Sequence, residues 1–204
     1  MREPNSTETD ERPVVNIIGE RVALGPIRRD LLPLYQRWLN DFGTLRTLAM
    51  PPHPLTMEAE IAWYERAAAP DSSSVQFTIY ETTSWRPIGN CMWRDIDYRN
   101  RTAAMALFIG DAADRGKGYG TETTRLLLDY AFTGLGLHSA MLTCYAFNIA
   151  GQRAYEKAGF RVFGRRHACH WMGGRLWDEI YMECLASEFE SPVLGRIFAP
   201  DEPR

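Results

Sequence analysis

Residues 105 to 132 pass from a short apolar run, through a stretch with glycine at every second position, into a helical pattern. Met105 to Gly110 reads as a buried strand, Asp111 to Asp114 as a turn, and Thr121 to Phe132 as an amphipathic helix. Between turn and helix stands Arg115-Gly116-Lys117-Gly118-Tyr119-Gly120. A glycine-rich loop that opens a helix aims several backbone N–H groups one way, at the positive end of the helix dipole, and so favours an anion such as a phosphate or diphosphate. Glycine lets the backbone approach that ligand and adopt positive φ without a Cβ clash. Arg115 and Lys117 add positive charge at the rim, and the loop reads as the grip on a phosphorylated cofactor.

Several glycine motifs can be tested against this stretch. A P-loop needs four residues between its first Gly and a Gly-Lys pair, then Ser or Thr. Here five residues separate Gly110 from Gly116, and Gly118 stands where the hydroxyl should be. The dinucleotide fingerprint Gly-x-Gly-x-x-Gly does not match the alternating Gly116, Gly118 and Gly120. Lys117-Gly118-Tyr119-Gly120 opens like the aromatic motif of RNA-recognition domains, but that motif continues on a strand, whereas Thr121-Glu122-Thr123-Thr124 continues on a helix.

The remaining pattern, Arg-x-x-Gly-x-Gly between strand and helix, resembles the diphosphate-binding motif of the GNAT superfamily of N-acetyltransferases. A second block, Asn148-Ile149-Ala150-Gly151-Gln152-Arg153-Ala154-Tyr155-Glu156-Lys157-Ala158-Gly159-Phe160, resembles that family's Asn…Arg-Ala…Lys-x-Gly-Phe segment. A third, Gly173 to Ile180, resembles the Asp-Gly-x-x-x-Asp-Glu run of the ribosomal-protein N-terminal and spermidine acetyltransferase-like subgroup. The three blocks fall in order within residues 17 to 186.

That resemblance implies an α/β (α+β) fold with a mixed central sheet of about seven strands flanked by helices, its fourth and fifth strands splayed. It implies acetyl-coenzyme A as co-substrate and no metal. The pantetheine arm would pair with backbone at Leu107, Phe108 and Ile109, and the diphosphate would meet Arg115, Gly116, Lys117, Gly118, Tyr119, Gly120 and Thr121. Asn148 and Arg153 would lie along the far side of the cofactor, although Asn148 reads equally as a helix N-cap. Tyr155 falls where the family places its general acid, the alternative being a packed tyrosine. Relatives carry Glu on the fourth strand, but this chain reads Ala103-Ala104-Met105-Ala106, so the base is unassigned. Asp95, Asp97 and Asp178 are candidates beside their ordinary role as strand-end acids, and an amine arriving already neutral is the other route. The implied reaction is direct acetyl transfer to a primary amine of a protein N-terminus, polyamine or small molecule. The alternative is a non-catalytic acyl-coenzyme A sensor. Dimers are common in the family, so self-association is expected.

The 204 residues suit one domain. We divide them into a leader at 1–13, the acetyltransferase-like domain at 14–186 and a C-terminal tail at 187–204, whose Val193 to Phe198 is apolar enough to dock. A net charge of −3 gives nucleic acid no support as partner. No apolar run reaches membrane-span length, and the polar, acidic first residues do not read as a signal peptide, so the cytoplasm is expected. Cys91, Cys144, Cys169 and Cys184 show no metal or redox spacing and read as reduced, mostly buried thiols. His53, His138, His167 and His170 suggest neither nucleophile nor metal.

Along the chain, 17–27, 75–81, 88–96, 103–110, 139–147, 160–168 and 177–184 read as strands. Helices are expected from Asp30 as N-cap to Asn40, from Thr56 to Ala69, over 121–132 with Glu122, Arg125 and Asp129 on a solvated face, and over 149–158. The acceptor pocket is expected from residues 30–70, Trp93 to Tyr98 and Cys169 to Trp177. Among Trp38, Trp63, Trp93, Trp171 and Trp177 most should be core, with one or two free to cage a cationic amine.

Overall fold

A computed structural model describes residues 12–69 and 73–201. Met1 to Glu11 of the expected leader lie outside the described residues. Eight strands form one mixed sheet with spatial order β1-β2-β3-β4-β5-β6-β8-β7. The expected first strand is two: β1 (Ile17–Ile18) and β2 (Val22–Pro26) fold back on each other around Gly19 to Arg21. β3 (Val75–Glu81), β4 (Pro87–Asp97) and β5 (Thr102–Ile109) continue as an antiparallel meander. β6 (Ser139–Tyr145) joins β5 in parallel, and the hairpin of β7 (Arg161–Met172) and β8 (Arg175–Leu185) completes the sheet through β8.

Helices cover both faces. α1 (Leu32–Leu39) and α3 (Met57–Ala68) pack on one side, with Leu32, Tyr35 and Trp38 buried against Phe108 of β5 and Met57, Ile61 and Trp63 of α3. Asp30 does not cap α1. Its carboxylate is taken by the Arg28 guanidinium at 2.6 and 2.9 Å, a 3-10 turn over Arg29–Leu31 intervenes, and Pro33 lies in the first turn. Thr56 does cap α3, its hydroxyl accepting from the Ala59 N–H. A four-residue helix absent from the sequence reading, α2 (Phe42–Leu45), is set by Asp41, whose carboxylate accepts from the N–H groups of Gly43 and Thr44.

On the other face α4 (Tyr119–Asp129) buries Leu126, Leu127 and Leu128 against Val22, Leu24, Phe77, Ile79, Ile88, Trp93 and Met105 of the sheet. Each such leucine contributes about 2 kcal/mol by leaving water, and the Trp93 indole N–H donates to the Leu127 carbonyl at 3.1 Å. α5 (Ile149–Ala158) packs beside α4, capped by Asn148 and stopped by Gly159 at φ 116° as its sequence signals require. The C-terminal segment docks on the domain: Leu194 of α6 (Leu194–Ile197) is buried in the main core. Asp129 leaves the solvated face assigned to it and is fully buried, for a reason that lies in that docked segment. Cys91, Cys144 and Cys184 are buried free thiols and Cys169 is half-buried.

Candidate active site

β5 and β6 pair at three positions: Thr102 with Ser139, Ala103 with Ala140 and Ala104 with Met141. Beyond these the strands separate. β5 stays bonded to β4 as far as Ile109 opposite Gly89, and β6 to β8 as far as Tyr145 opposite Glu179. The edge of β5 that faces the gap, over Leu107, Phe108 and Ile109, is therefore unpaired. An open strand edge can take an amide-bearing ligand as an added strand.

At the end of that edge the chain turns through the glycine loop. Gly116 and Gly118 take φ of 77° and 88°, a region costly to other residues, and Gly118 is the N-cap of α4. The backbone N–H groups of Lys117, Gly118, Tyr119, Gly120 and Thr121 have no acceptor among the described residues. A Cβ on Gly116 or Gly120 would meet nothing within 4 Å. Open space in front of unsatisfied donors at a helix N-terminus is the geometry of an anion cradle, and the residues fit the diphosphate of coenzyme A.

The charged side chains of the loop brace it. Arg115 donates to the Thr44 hydroxyl at 2.7 Å and to the carbonyls of Gly110 at 2.8 Å and Ile109 at 3.2 Å, tying loop, strand end and α2 together. Asp114 is buried and held by Arg86 through two bonds of 2.5 and 2.7 Å. These bonds keep its carboxyl below the usual carboxylate range against the opposing effect of burial. Asp114 also draws the Lys117 ammonium to 3.2 Å. Lys117 is thereby the one candidate cofactor-binding residue that does not line the cavity.

Leu107, Phe108, Ile109, Arg115, Gly116, Gly118, Tyr119, Gly120, Thr121, Asn148, Arg153 and Tyr155 line a single cavity of about 430 Å³. Asn148 caps α5 through Oδ1, which accepts from the Gly151 N–H at 3.0 Å. An asparagine keeps its amide donors when its oxygen caps a helix, so the two readings of this residue are compatible. Tyr155 is half-buried against Phe160, and burial, with Cys144 nearby, pushes its phenol above the ordinary value. It holds its proton throughout the physiological range. Cys144, pushed up to about 12 by burial, stays a thiol. Thr44, Thr47 and Lys157 also line the cavity and were not singled out from sequence. Thr44 and Thr47 arrive on and beside a helix too short for any period, whereas Lys157 lay in the second motif without a role.

None of the three candidate bases lines the cavity. Asp95 pairs with Arg94 at a bulge in β4, Asp97 accepts from Asn100 in a turn, and Asp178 is held by Arg165 and the Ala168 N–H. Among the tryptophans, Trp38 and Trp93 are core, Trp63 and Trp177 half-buried, and Trp171 67% exposed. Beside the cavity stands an aromatic cluster: Tyr145 stacks on His170 at 3.7 Å, and Phe147 packs on Tyr145 and Trp177 at 5.4 Å. The cation positions over it are filled from within, by Arg175 at 3.5 Å from the Trp177 ring and Arg46 at 5.7 Å from that of Phe147. No group of three His, Cys, Asp or Glu side chains among the described residues is arranged to hold a metal ion. No helix among them is long and apolar enough to cross a membrane.

Comparison with known proteins gives a consistent result. The family model described as an acetyltransferase (GNAT) domain matches residues 21–161. An uncharacterized N-acetyltransferase of Bacillus subtilis, YnaD, is 35% identical over 75 residues, which is 37% of this chain and 44% of that protein. A human alpha/beta-tubulin N-acetyltransferase, number 9, is 28% identical across 85% of this chain and 84% of its own length. The match thus spans less than half of YnaD but most of the human relative. Among solved structures, the spermidine N-acetyltransferase of Vibrio cholerae in complex with coenzyme A and spermine superposes with a TM-score of 0.76. It is 23% identical and covers 82% of this chain and 97% of its own.

Proposed function

The chain belongs to the GNAT acetyltransferase family, and on that premise we propose that it transfers an acetyl group from acetyl-coenzyme A directly to a primary amine. One observation carries the reading: the open β5 edge, the unsatisfied N–H groups of the glycine loop and the Tyr155 phenol face one cavity. In this reading the β5 backbone at Leu107, Phe108 and Ile109 aligns the amide-bearing arm, and the N–H groups from Gly116 to Thr121 hold the diphosphate. The Asn148 amide and the Arg153 guanidinium flank the far side.

Attack by the amine on the thioester carbonyl produces a tetrahedral species that expels a thiolate. Tyr155 supplies the proton to the departing sulfur, and the phenolate left behind takes up the proton that the newly acetylated nitrogen sheds, so the phenol is restored at the end of the cycle. A thiol leaves with a pKa near 8.5 in water, and the burial that raises the phenol raises the thiolate's proton affinity as well. Proximity of a neutral amine in a bounded cleft supplies the rest, since no carboxylate of the cavity is free to act as base: Asp114, its one carboxylate, is bound by Arg86 and Lys117.

The acceptor belongs to the class of primary amines, with N-terminal peptides, polyamines and small-molecule amines as its members. The reading carries with it a cytoplasmic location and self-association, the latter supported by a dodecameric form of the Vibrio cholerae enzyme. Release of free coenzyme A across a panel of such amines, against a blank without amine, tests the activity. Tyr155→Phe should lower kcat by about a hundredfold or more while KM for acetyl-coenzyme A stays within about twofold. An unchanged kcat would remove Tyr155 from the chemistry.

A further inference from the structure

Two elements that flank the cavity each bring an arginine to it. On one side Thr44 and Thr47 line the cavity, and Arg46 stands between them, exposed, at the end of α2. The bond from Arg115 to the Thr44 hydroxyl ties α2 to the glycine loop, so Arg46 keeps its place beside the cavity. On the other side Asn148 lines the cavity, directly after Phe147 at the end of β6. The β7–β8 hairpin packs there and supplies the second arginine. Gly173 and Gly174 turn the chain at φ 61° and 81°, and Arg175 follows them, opposite Met172 in the register. The Trp177 indole N–H donates to the Met172 carbonyl at 3.0 Å, which holds the tip against the ring that Arg175 covers.

Both guanidiniums are stacked, and both are unspent. Arg46 lies over Phe147 and Arg175 over Trp177, and the two ring centroids are 5.4 Å apart. Neither guanidinium makes an ion pair or a hydrogen bond among the described residues. A guanidinium seated on a ring keeps its five N–H donors at its edge. The neighbouring carboxylates have partners of their own. Glu179 accepts from the Tyr181 phenol at 3.1 Å and stands opposite Arg166 in the register, while Asp178 is held by Arg165 and the Ala168 N–H. His170, stacked on Tyr145, has a buried Nε2 without a partner, which in its N–H tautomer is one more donor. Two like charges on adjacent rings, with no carboxylate paired to either, repel an ammonium and attract an anion.

We propose that the acceptor is a primary amine that also carries a carboxylate, which Arg46 and Arg175 receive at the aromatic edge of the site. The inference rests on the acyl-transfer reading and narrows its acceptor. The positions over Phe147 and Trp177 where an aromatic cage would hold a cationic amine are occupied by the chain's own cations. A polyamine therefore meets repulsion where a carboxylate meets donors. The carboxylate can belong to an acidic side chain next to a peptide N-terminus or to a small amino acid, and both present the same anion near the same amine. Neither arginine lines the donor cavity, so the two select the acceptor and leave acetyl-coenzyme A to the glycine loop.

Matched acceptors that differ only in that charge test this on the full chain, with release of free coenzyme A as the readout. The pairs are Ser-Glu-Ala-amide against Ser-Gln-Ala-amide, and γ-aminobutyrate against its amide, with spermidine as the polycation. In each pair that is turned over, kcat/KM of the carboxylate member should exceed that of its neutral partner by about tenfold or more, with spermidine below both. Arg46→Gln and Arg175→Gln should each cut that ratio to about threefold or less, through KM and not through kcat. Both residues are exposed, and the wild-type ratio decides the matter even if neither variant folds. A neutral member or spermidine used as well as the carboxylate member would overturn the proposal while leaving acyl transfer standing. A loss that falls equally on both members of a pair in the two variants would do the same. No release above the blank with any of these amines would overturn the transfer reading and this one together.

Discussion

The two ends of α4 face the same difficulty and resolve it in opposite ways. A helix leaves N–H groups unsatisfied at its start and carbonyls unsatisfied at its end, with partial charges of opposite sign. At the start, five consecutive N–H groups from Lys117 to Thr121 have no acceptor among the described residues, and Gly116 and Gly120 have open space where a Cβ would stand. At the end stands Asp129, a carboxylate where the helix dipole disfavours negative charge, yet fully buried. It survives there because protein donors surround it: the hydroxyls of Thr133 at 2.8 Å and Ser191 at 2.5 Å, and the N–H groups of Val193 at 2.9 Å and Leu194 at 2.8 Å. Unmet donors facing open space mark where a ligand completes the molecule. A charge saturated by its own chain marks where the fold completes itself.

Removing Asp129 should therefore act on stability and spare chemistry. In Asp129→Ala four donors lose their acceptor, two of them backbone N–H groups, and the C-terminal segment loses its anchor. The expected cost is about 3–4 kcal/mol, a fall in Tm of about 10 °C for a chain of this size. Turnover per folded molecule, measured well below the new Tm, should stay within about threefold. A variant with unchanged Tm and lost turnover would erase the distinction between the two ends.

Gly120→Asp is the complementary change. Gly120 lies in the first turn of α4 at an ordinary helical conformation, and its Cβ would point into open space, so the fold loses little. The new carboxylate would occupy the cradle and cap the N–H groups that a diphosphate needs. Affinity for coenzyme A should fall about a hundredfold, equivalent to about 2.7 kcal/mol, with Tm within a few degrees of wild type or above it. Retained affinity would show that the loop does not hold the diphosphate.

The contrast also explains what could be read from the sequence. β3 at Val75–Glu81 and α5 at Ile149–Ala158 fall where expected, because alternation, an Asn cap and a Gly stop are signals carried within a dozen residues. The glycine loop is legible for the same reason. Asp129 was not. It shares a helix face with Glu122 and Arg125, and its burial depends on donors 62 to 65 residues further on. The same distance hides Arg86, which reaches Asp114 from 28 residues away, and Thr44, which reaches Arg115 from 71. Asp30 misled because Ser, Thr, Asn and Asp cap helices as a class, while the neighbouring Arg28 and Pro33 decided the start of α1. In this chain local pattern located most of the residues that line the candidate cavity, and long-range pairing supplied the parts that keep them in place.

Glu60 extends the comparison to a carboxylate that is buried but not saturated. It lies on α3, 2% exposed, with Oε1 lacking a hydrogen-bond partner among the described residues. Burial lifts its carboxyl to about 7, because the charged form is penalised and nothing nearby repays it. The direction of the pH effect follows. Between the unfolded value near 4.5 and the folded value near 7, the folded chain holds a proton that the unfolded chain has released. Stability contributed by this site is therefore complete below about pH 4.5, declines as pH rises toward 7, and levels off above it, a loss of about 3 kcal/mol. Glu60→Gln, which cannot ionise, should leave stability at pH 4.5 nearly unchanged and raise it at pH 8 by a comparable amount. Denaturant titrations at the two pH values measure both. Asp129→Asn should show no such gain at pH 8, because the amide would present donors to groups that already donate. If Glu60→Gln instead destabilised the chain equally at both pH values, Glu60 would be a saturated carboxylate of the Asp129 kind, and its apparent lack of a partner would have to be met by a group on the α1–α3 side of the sheet.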